Sequence, residues 1–138
     1  MRVYWSGAAI MLKADTRLRD LTGGQQSVDT ALLSLQRCCL DEKQNWRAQD
    51  LFRELDRITG HTVFMDLYNE HVVDDEFPDL SFTYAQLGVV PQSGSIRLLS
   101  DAPLGQIRHE IMNDSDQRTP PHPFPESTPH PQPGATLP

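Results

Sequence analysis

The sequence predicts a mainly α protein with five or six helices, one small β-hairpin and a proline-rich tail. Apolar residues recur at steps of three and four along most of residues 1–112, which is the period of amphipathic helices. Glycines stand where several of these periodic segments stop, as is usual just beyond a helix end. The following segment, 113–138, holds 8 of the 11 prolines among Ser, Thr and Gln. This composition is typical of disorder, so we expect a helical unit at 1–112 and a disordered tail at 113–138.

Two apolar stripes predict the first two helices. The first stripe is followed by Gly23 and Gly24, which supply a stop, and it consists of Tyr4, Ala8, Met11, Leu12 and Leu18. Ser27 then stands where an N-cap belongs, and Asp29 falls in the positively polarised first turn. The second helix is expected to end near Leu40, and its stripe consists of Val28, Ala31, Leu32, Leu35 and Cys39.

The third helix has the strongest amphipathic pattern, with a charged opposite face and Gly60 as its stop. Its apolar stripe is Ala48, Leu51, Phe52, Leu55 and Ile58. Thr62 is then predicted to cap a shorter fourth helix over residues 63–68. A fifth short helix is expected over residues 82–87, with Gly88 as its stop.

The last two predicted elements are a hairpin and a helix. The segment VVPQSGSIRLL has two apolar runs separated by Pro, Ser and Gly, a pattern typical of a hairpin that turns at Ser93 and Gly94. Asp101 and Pro103 then open a final helix that runs through Ile107 to Met112.

Charge and cysteine content exclude several classes of function. The net charge is −7 and the pI about 5.0, and no run of Lys or Arg provides the cationic patch that nucleic acid or an anionic membrane attracts. Lys13 and Asp15 interrupt the first apolar segment, so it is too short to span a membrane. Only Arg2 precedes it, which makes a poor signal peptide, and we expect a cytoplasmic chain. Cys38 and Cys39 are adjacent, and we expect reduced, half-buried thiols.

Motifs for metal or phosphate chemistry are missing. A helical zinc site of the common type needs HExxH, whereas His109 and Glu110 are followed by Ile, Met and Asn. No GxGxxG, GxxxxGK[ST] or GxSxG occurs in the chain. We therefore expect no metal site in this chain.

Three weaker groups of polar residues have ordinary structural interpretations as well as functional ones. Tyr68, Glu70 and His71 could form an acid–base group, although a solvated helix end is the favoured interpretation. The acidic residues 74–76 with Asp79 could bind a hard cation, but they lack EF-hand spacing, and a solvated loop is favoured.

The third group lies in the tail. His122 and His130 could ligate a metal, yet two isolated histidines in a proline-rich segment make a poor preformed site.

A resemblance takes the interpretation further. The segment VYWSGAAIMLKADTRLRDLTGGQQSVDTALLSLQRCC, followed by AQDLFRELDRITG and FMDLYNEHV, resembles the glycyl aminopeptidase family of zinc metallopeptidases, peptidase family sixty-one, downstream of its zinc site. In that family an aromatic pair with glycine opens a buried helix, a basic stretch leads to Gly-Gly, and Ser-Leu-Asp begins the next helix. The resemblance covers residues 3–112, and the matching residues are Tyr4, Trp5, Gly7, Ala8, Arg17, Arg19, Gly23, Gly24, Ser27, Val28 and Asp29.

The resemblance implies the C-terminal helical lobe of a thermolysin-like catalytic domain that releases N-terminal Gly or Ala. The zinc ligands and general-base glutamate of the family would lie upstream, so zinc belongs to the intact family and the chain alone is expected to be inactive. By resemblance, Tyr4 is a transition-state stabiliser, with a core aromatic as the alternative. Ser6 and Gly7 are substrate-binding candidates, although the family commonly has a larger polar residue where Ser6 stands. Trp5 is expected to pack.

Two kinds of partner follow from these interpretations. A peptidase lobe requires an upstream zinc-bearing half, whereas an unpartnered first helix predicts self-association. The alternative function is a helical protein-interaction module that uses the apolar face of its first helix. No nucleic-acid or membrane partner is expected.

Overall fold

A computed structural model describes residues 2–40, 45–73 and 76–113. The described chain is mainly helical, with a two-stranded antiparallel hairpin, as predicted. In chain order the elements are α1 (Arg2–Thr22), α2 (Val28–Cys38), α3 (Ala48–Thr59), α4 (Val63–Leu67), a π-helical segment (Tyr68–Val73), α5 (Ser81–Leu87), β1 (Val89–Gln92), β2 (Ser95–Leu98) and α6 (Gly105–Asn113). The predicted tail beyond Asn113 lies outside the described residues.

Helix α1 is the longest element, and only its central and C-terminal turns are buried. Ile10, Ala14 and Leu18 succeed one another at steps of four and are buried against the other helices. The predicted stripe is wrong at its amino end, because Tyr4 and Ala8 are exposed. At about 1.5 Å per residue, the 21-residue α1 is longer than its neighbours α2 and α4, so its first two turns extend beyond the core.

The core forms where α1, α2, α3 and α4 meet. Phe64 is fully buried at its centre and meets the ring of Phe52 edge-on at 6.1 Å. Ser27 caps α2 as predicted: its hydroxyl accepts from the Thr30 amide at 3.2 Å, and the Ser27 amide donates to the Thr30 hydroxyl at 2.9 Å. This reciprocal pair satisfies two otherwise unpaired donors at the helix start.

Helix α4 is capped by a side chain from α3 rather than by Thr62. Thr62 occupies the predicted position, but it makes no side-chain cap and donates to Asp66 at 3.1 Å instead. The Asp56 carboxylate accepts from the backbone amides of Phe64 and Met65 at 2.8 and 2.9 Å. An acidic group at a helix N-terminus pairs with unsatisfied amides and the positive end of the dipole, so Asp56 locks α4 onto α3.

The C-terminal part of the described chain is an α5–hairpin–α6 unit. The hairpin turns at Ser93 and Gly94 as predicted, with Val89 opposite Leu98. The guanidinium Nη1 of Arg108 donates to the Leu87 and Leu99 carbonyls, both at 2.8 Å, and this joins α6 to the end of α5 and to the residue just after β2. Helix α6 begins at Gly105, later than the predicted opening at Asp101 and Pro103.

The prediction of free thiols is wrong, because a disulfide joins Cys38 to Cys39. Cys38 is the last residue of α2, and Cys39 has left the helical conformation with φ −142° and ψ −11°. This change of backbone direction brings two successive side chains together, which a continuing helix does not do. Separately, within the described residues no helix combines the length and apolarity needed to cross a membrane.

Candidate functional site

The predicted site residues lie on the first two turns of α1, where the helix extends past the core. Tyr4 is 72% exposed and Trp5 58% exposed, and their rings meet edge-on with centroids 5.4 Å apart. Gly7 is exposed, and a Cβ there would meet nothing within 4 Å. Ser6 is half-buried. On a helix, Tyr4 and Gly7 share a face while Ser6 points elsewhere, so the three do not converge on one point.

Trp5 borders an apolar groove of about 770 Å³, which we call the aromatic groove. One wall is the amino-terminal half of α1, and the other is the segment that leads into α5 together with residues of α5 and β1. The lining residues are Trp5, Ala8, Ala9, Leu12, Phe77, Pro78, Asp79, Leu80, Ser81, Tyr84 and Pro91. The groove is therefore lined by two prolines, three aromatic rings and the small side chains of Ala8 and Ala9.

Among the described residues, Asp79 is the one charged side chain that lines the aromatic groove. Its carboxylate accepts from the Ser81 hydroxyl at 2.6 Å and from the Ser81 amide at 2.9 Å. These hydrogen bonds lower the pKa of Asp79 below its ordinary value, so the groove has one fixed negative charge at neutral pH. Phe77 is 49% exposed and Tyr84 is half-buried, so both rings remain accessible beside Asp79.

A second cavity, of about 480 Å³, lies further along α1, and Asp79 lines both cavities. We call it the polar cavity. It is bounded by α1, Glu70 of the π-helical segment, α5 and the start of α6, and its lining residues are Lys13, Thr16, Arg17, Asp20, Glu70, Asp79, Phe82, Thr83, Gln86 and Leu104. The two cavities share Asp79 and lie one after the other along α1; we call this stretch of surface the track along α1.

A charged cluster at the edge of the polar cavity ties the π-helical segment to α1. Lys13 Nζ lies 2.9 Å from His71 Nε2 and 3.4 Å from Glu70 Oε1, while Arg17 Nη2 lies 3.3 Å from Glu70 Oε2. The side chain of His71 is only 6% exposed, so the prediction of a solvated helix end is wrong for this residue. Tyr68 does not join the cluster; its ring packs against Phe52 at 5.7 Å.

His71 is a neutral imidazole at neutral pH. Burial, followed by the nearby Lys13 ammonium, lowers its pKa below the ordinary value. Since Lys13 can only donate, Nε2 is the acceptor and Nδ1 carries the proton. That Nδ1 atom is buried and has no hydrogen-bond partner among the described residues. Irregular helical turns of the π type are frequent at functional sites. Here the π-helical segment holds His71 against Lys13 of α1 rather than in solvent.

Two other chemically interesting groups do not form metal sites. Cys38, Cys39 and Glu54 lie close enough to share an ion, but the sulfurs are joined in the disulfide, and Glu54 pairs with Arg57 at 2.9 Å. Thiolates, not disulfide sulfurs, ligate metals.

The residues of the incomplete HExxH pattern are engaged elsewhere on α6. A ring nitrogen of His109 lies 3.0 Å from the Asn113 amide nitrogen, and Glu110 lies against Arg19. Within the described residues, His109 and Glu110 therefore do not form a zinc site. The acidic residues Asp74 and Asp75, like His122 and His130 of the tail, lie outside the described residues.

Comparisons with known proteins return no match: no family model, no curated protein and no solved structure resembles this chain closely enough to assign a family. We therefore infer the function from the two cavities and the exposed start of α1.

Sequence patterns pointed to the start of α1 but not to the other wall of the groove. Phe77 and Pro78 stand in a segment without a periodic pattern and Tyr84 in the predicted fifth helix, and their approach to α1 is a tertiary contact. The succession Phe-Pro-Asp before a helix was the available signal, since proline and aspartate mark a turn at a helix start.

Proposed function

We propose that this chain is a helical protein-interaction module whose aromatic groove binds an extended, proline-rich segment of a partner. The observation that supports the proposal is the groove itself, with Trp5, Phe77 and Tyr84 around an apolar floor. Aromatic-lined grooves bind polyproline II segments because such segments are already extended and lose little entropy on binding. The interaction surface differs from the predicted one, since most of the apolar face of α1 is buried in the core.

The exposure of the groove residues also supports binding. Tyr4 and Trp5 together present two large rings beside the groove, and amphipathic rings are the usual anchors of protein interfaces. The single charge of Asp79 at the groove would favour a ligand with a basic residue next to its prolines.

The test is titration of the full chain with a synthetic oligoproline peptide. Trp46→Phe leaves Trp5 as the only tryptophan, so its fluorescence reports on the groove. We expect binding that Trp5→Ala or Phe77→Ala weakens about tenfold or more, which corresponds to about 1.4 kcal/mol. Phe82→Ala is a matched control, because Phe82 is 74% exposed and lines only the polar cavity. No binding up to the solubility limit of the peptide would reject this function.

A second proposal follows from the family resemblance: the chain is the C-terminal lobe of a zinc aminopeptidase domain and is inactive alone. The exposure of Tyr4 at an uncovered end of α1 favours it, because a donor to a developing oxyanion must face the cleft rather than the core. Zinc would belong to a separate, upstream half.

Mixing the chain with such a half, whose coding sequence would lie upstream of codon 1, tests the second proposal. We expect metal-dependent release of N-terminal Gly or Ala, and Tyr4→Phe should reduce its rate about a hundredfold or more. Tyr68→Phe is the matched control, since that ring packs against Phe52. A mixture no faster than buffer would reject the peptidase proposal.

Self-association through α1 is a third possibility, and the structure changes how it must be tested. Ile10 is only 6% exposed, so Ile10→Glu would disrupt folding rather than a contact between molecules. Trp5→Ala is the suitable variant. If the groove does not bind a second copy, sedimentation should give the same mass for this variant and for the unsubstituted chain. The cytoplasmic location also stays a proposal. Cytosolic thiols keep most cysteines reduced, so thiol alkylation in lysates should find Cys38 and Cys39 reduced in a cytoplasmic chain, whereas a persistent Cys38–Cys39 disulfide would argue for an oxidising compartment.

A further inference from the structure

The tail of this chain contains the kind of ligand that the aromatic groove fits. Residues 119–125 read TPPHPFP, and they include four prolines and one aromatic side chain within seven positions. The segment has a PxxP spacing from Pro120 to Pro123, the pattern that places two prolines on one side of a polyproline II helix. Arg118 precedes these prolines and is a basic partner for Asp79 of the groove.

We infer that residues 120–125 of the same chain occupy the aromatic groove and compete there with external proline-rich ligands. This inference rests on the proposed function, because it assigns an intramolecular ligand to the same groove.

The tail starts near the C-terminal end of α1. Glu110 of α6 lies 4.0 Å from the Arg19 guanidinium, and its carboxylate is so close to Gly24 that a Cβ there would lie 2.7 Å from it. The described chain then ends at Asn113, one turn further on. The aromatic groove lies at the opposite, amino-terminal end of the same helix.

The reach of the tail matches this separation. From Thr22 back to Ala8, α1 spans about 21 Å at its rise of about 1.5 Å per residue. An extended polyproline II chain advances about 3.1 Å per residue, so the seven residues from Asn113 to Pro120 cover about 22 Å. Pro120 therefore arrives level with Ala8, and the next few residues pass Trp5.

The composition of the tail also matches the track along α1. The first tail residues, 114–119, are polar and read DSDQRT; they would pass the polar cavity, whose lining is also mostly polar and charged. The apolar residues that follow would reach the apolar groove. In this order the polar residues lie against the polar cavity, and the prolines and Phe124 lie against the aromatic rings. Such an arrangement has the smallest free-energy cost, because no polar group is buried against an apolar surface.

The test uses the full-length chain with Trp46→Phe, so that Trp5 alone reports. In one variant Pro120, Pro121, Pro123 and Pro125 are replaced by Ser. In the matched control Pro129, Pro131 and Pro133 are replaced by Ser. We expect the first variant alone to expose Trp5 to acrylamide quenching and to bind oligoproline about tenfold more tightly, because the competing tail is released. Adding the synthetic peptide RTPPHPFPE should restore the protection of Trp5.

Each other outcome overturns the inference in a recognisable way. Equal quenching and equal oligoproline affinity in both variants would show that the tail does not occupy the groove, while the proposed function stands. If neither variant binds oligoproline or RTPPHPFPE, the proposed function falls, and the inference falls with it. If the protection of Trp5 disappears on dilution of the unsubstituted chain, the occupant is a second copy and not the chain's own tail.

Discussion

Removal of the Arg108 guanidinium should destabilise the wall of the aromatic groove formed by α5 and the hairpin. Arg108 is half-buried, and its Nη1 atom donates to carbonyls at the end of α5 and just after β2. A third, longer contact of 3.3 Å reaches the Gly88 carbonyl. The structural consequence of Arg108→Ala can therefore be assigned to these bonds.

The magnitude follows from which carbonyls lose their partner. The Gly88 carbonyl still accepts from the Leu99 amide at 2.8 Å, so it is satisfied without Arg108. The 2.8 Å bonds to Leu87 and Leu99 are lost outright. Hydrogen bonds to charged groups contribute about 1.5–3 kcal/mol each, and water partly replaces them at a half-buried site. We expect Arg108→Ala to lower the free energy of unfolding by about 2–3 kcal/mol.

Urea denaturation followed by circular dichroism measures this change. Arg97→Ala is the matched control, because Arg97 lies on the exposed strand β2, and a surface substitution away from such bonds changes stability by about 0.5 kcal/mol or less. Arg108→Lys keeps the charge but loses the planar donor pair and should fall between the two. Equal stability of the Arg108→Ala and Arg97→Ala variants would refute the assignment of the α6 contact to the guanidinium.

Three further predictions concern single side chains of the fold. Asp56→Ala should cost about 1–2 kcal/mol through loss of the α4 cap. Asp50→Ala removes an exposed ion pair and a first-turn carboxylate of the same helix and should cost less, about 0.5–1 kcal/mol; equal midpoints in urea would contradict the cap. Because the pKa of His71 is lowered in the folded state, the unfolded chain binds the proton more readily, so stability should fall as the pH drops below the ordinary pKa of 6.5. Denaturation midpoints measured across acid pH should show this fall. The His71→Gln variant should lack the part of the fall that His71 causes. Gly88→Ala should be strongly destabilising, since φ is +69° and the new Cβ would lie 2.5 Å from a neighbouring methyl, whereas Gly7→Ala should raise the thermal midpoint slightly; the opposite order would contradict this backbone geometry.

Local patterns predicted the helices well because their determinants are local. Gly60 and Gly88 follow α3 and α5 in the left-handed conformation, as glycine allows at little cost. Ser27 caps α2 because its hydroxyl reaches an amide three residues away. The Thr62 cap failed for a tertiary reason: Asp56, on another helix, provides two acceptor oxygens to the same amides. A periodic sequence pattern cannot predict that a carboxylate from another helix, rather than a nearby hydroxyl, will cap α4.

The site was less predictable, because it depends on where the core ends. Periodicity alone assigned Tyr4 and Ala8 to the same stripe as Leu18, and a continuous helix does bring them to related sides. Whether such a stripe is buried depends on the lengths of α2 and α4, and those helices do not reach the first turns of α1. The same difference in length exposes Trp5 and creates one wall of the groove. His71 was misjudged for a similar reason, since Lys13, which pairs with it, lies 58 residues away in sequence.

The position of Asp79 links the two cavities and decides how the groove discriminates between ligands. Its carboxylate accepts two hydrogen bonds from Ser81 at the start of α5, which hold a negative charge beside the aromatic groove. Lys13 and Arg17 further along α1 share Glu70, and the polar cavity is also lined by Asp20 and Asp79, so its acidic groups outnumber its basic ones. A ligand that runs along α1 therefore meets acidic groups at both cavities, which favours a basic residue beside its prolines. The tail places Arg118 two positions before its first proline, Pro120, so this side chain would reach Asp79 as the prolines enter the aromatic groove.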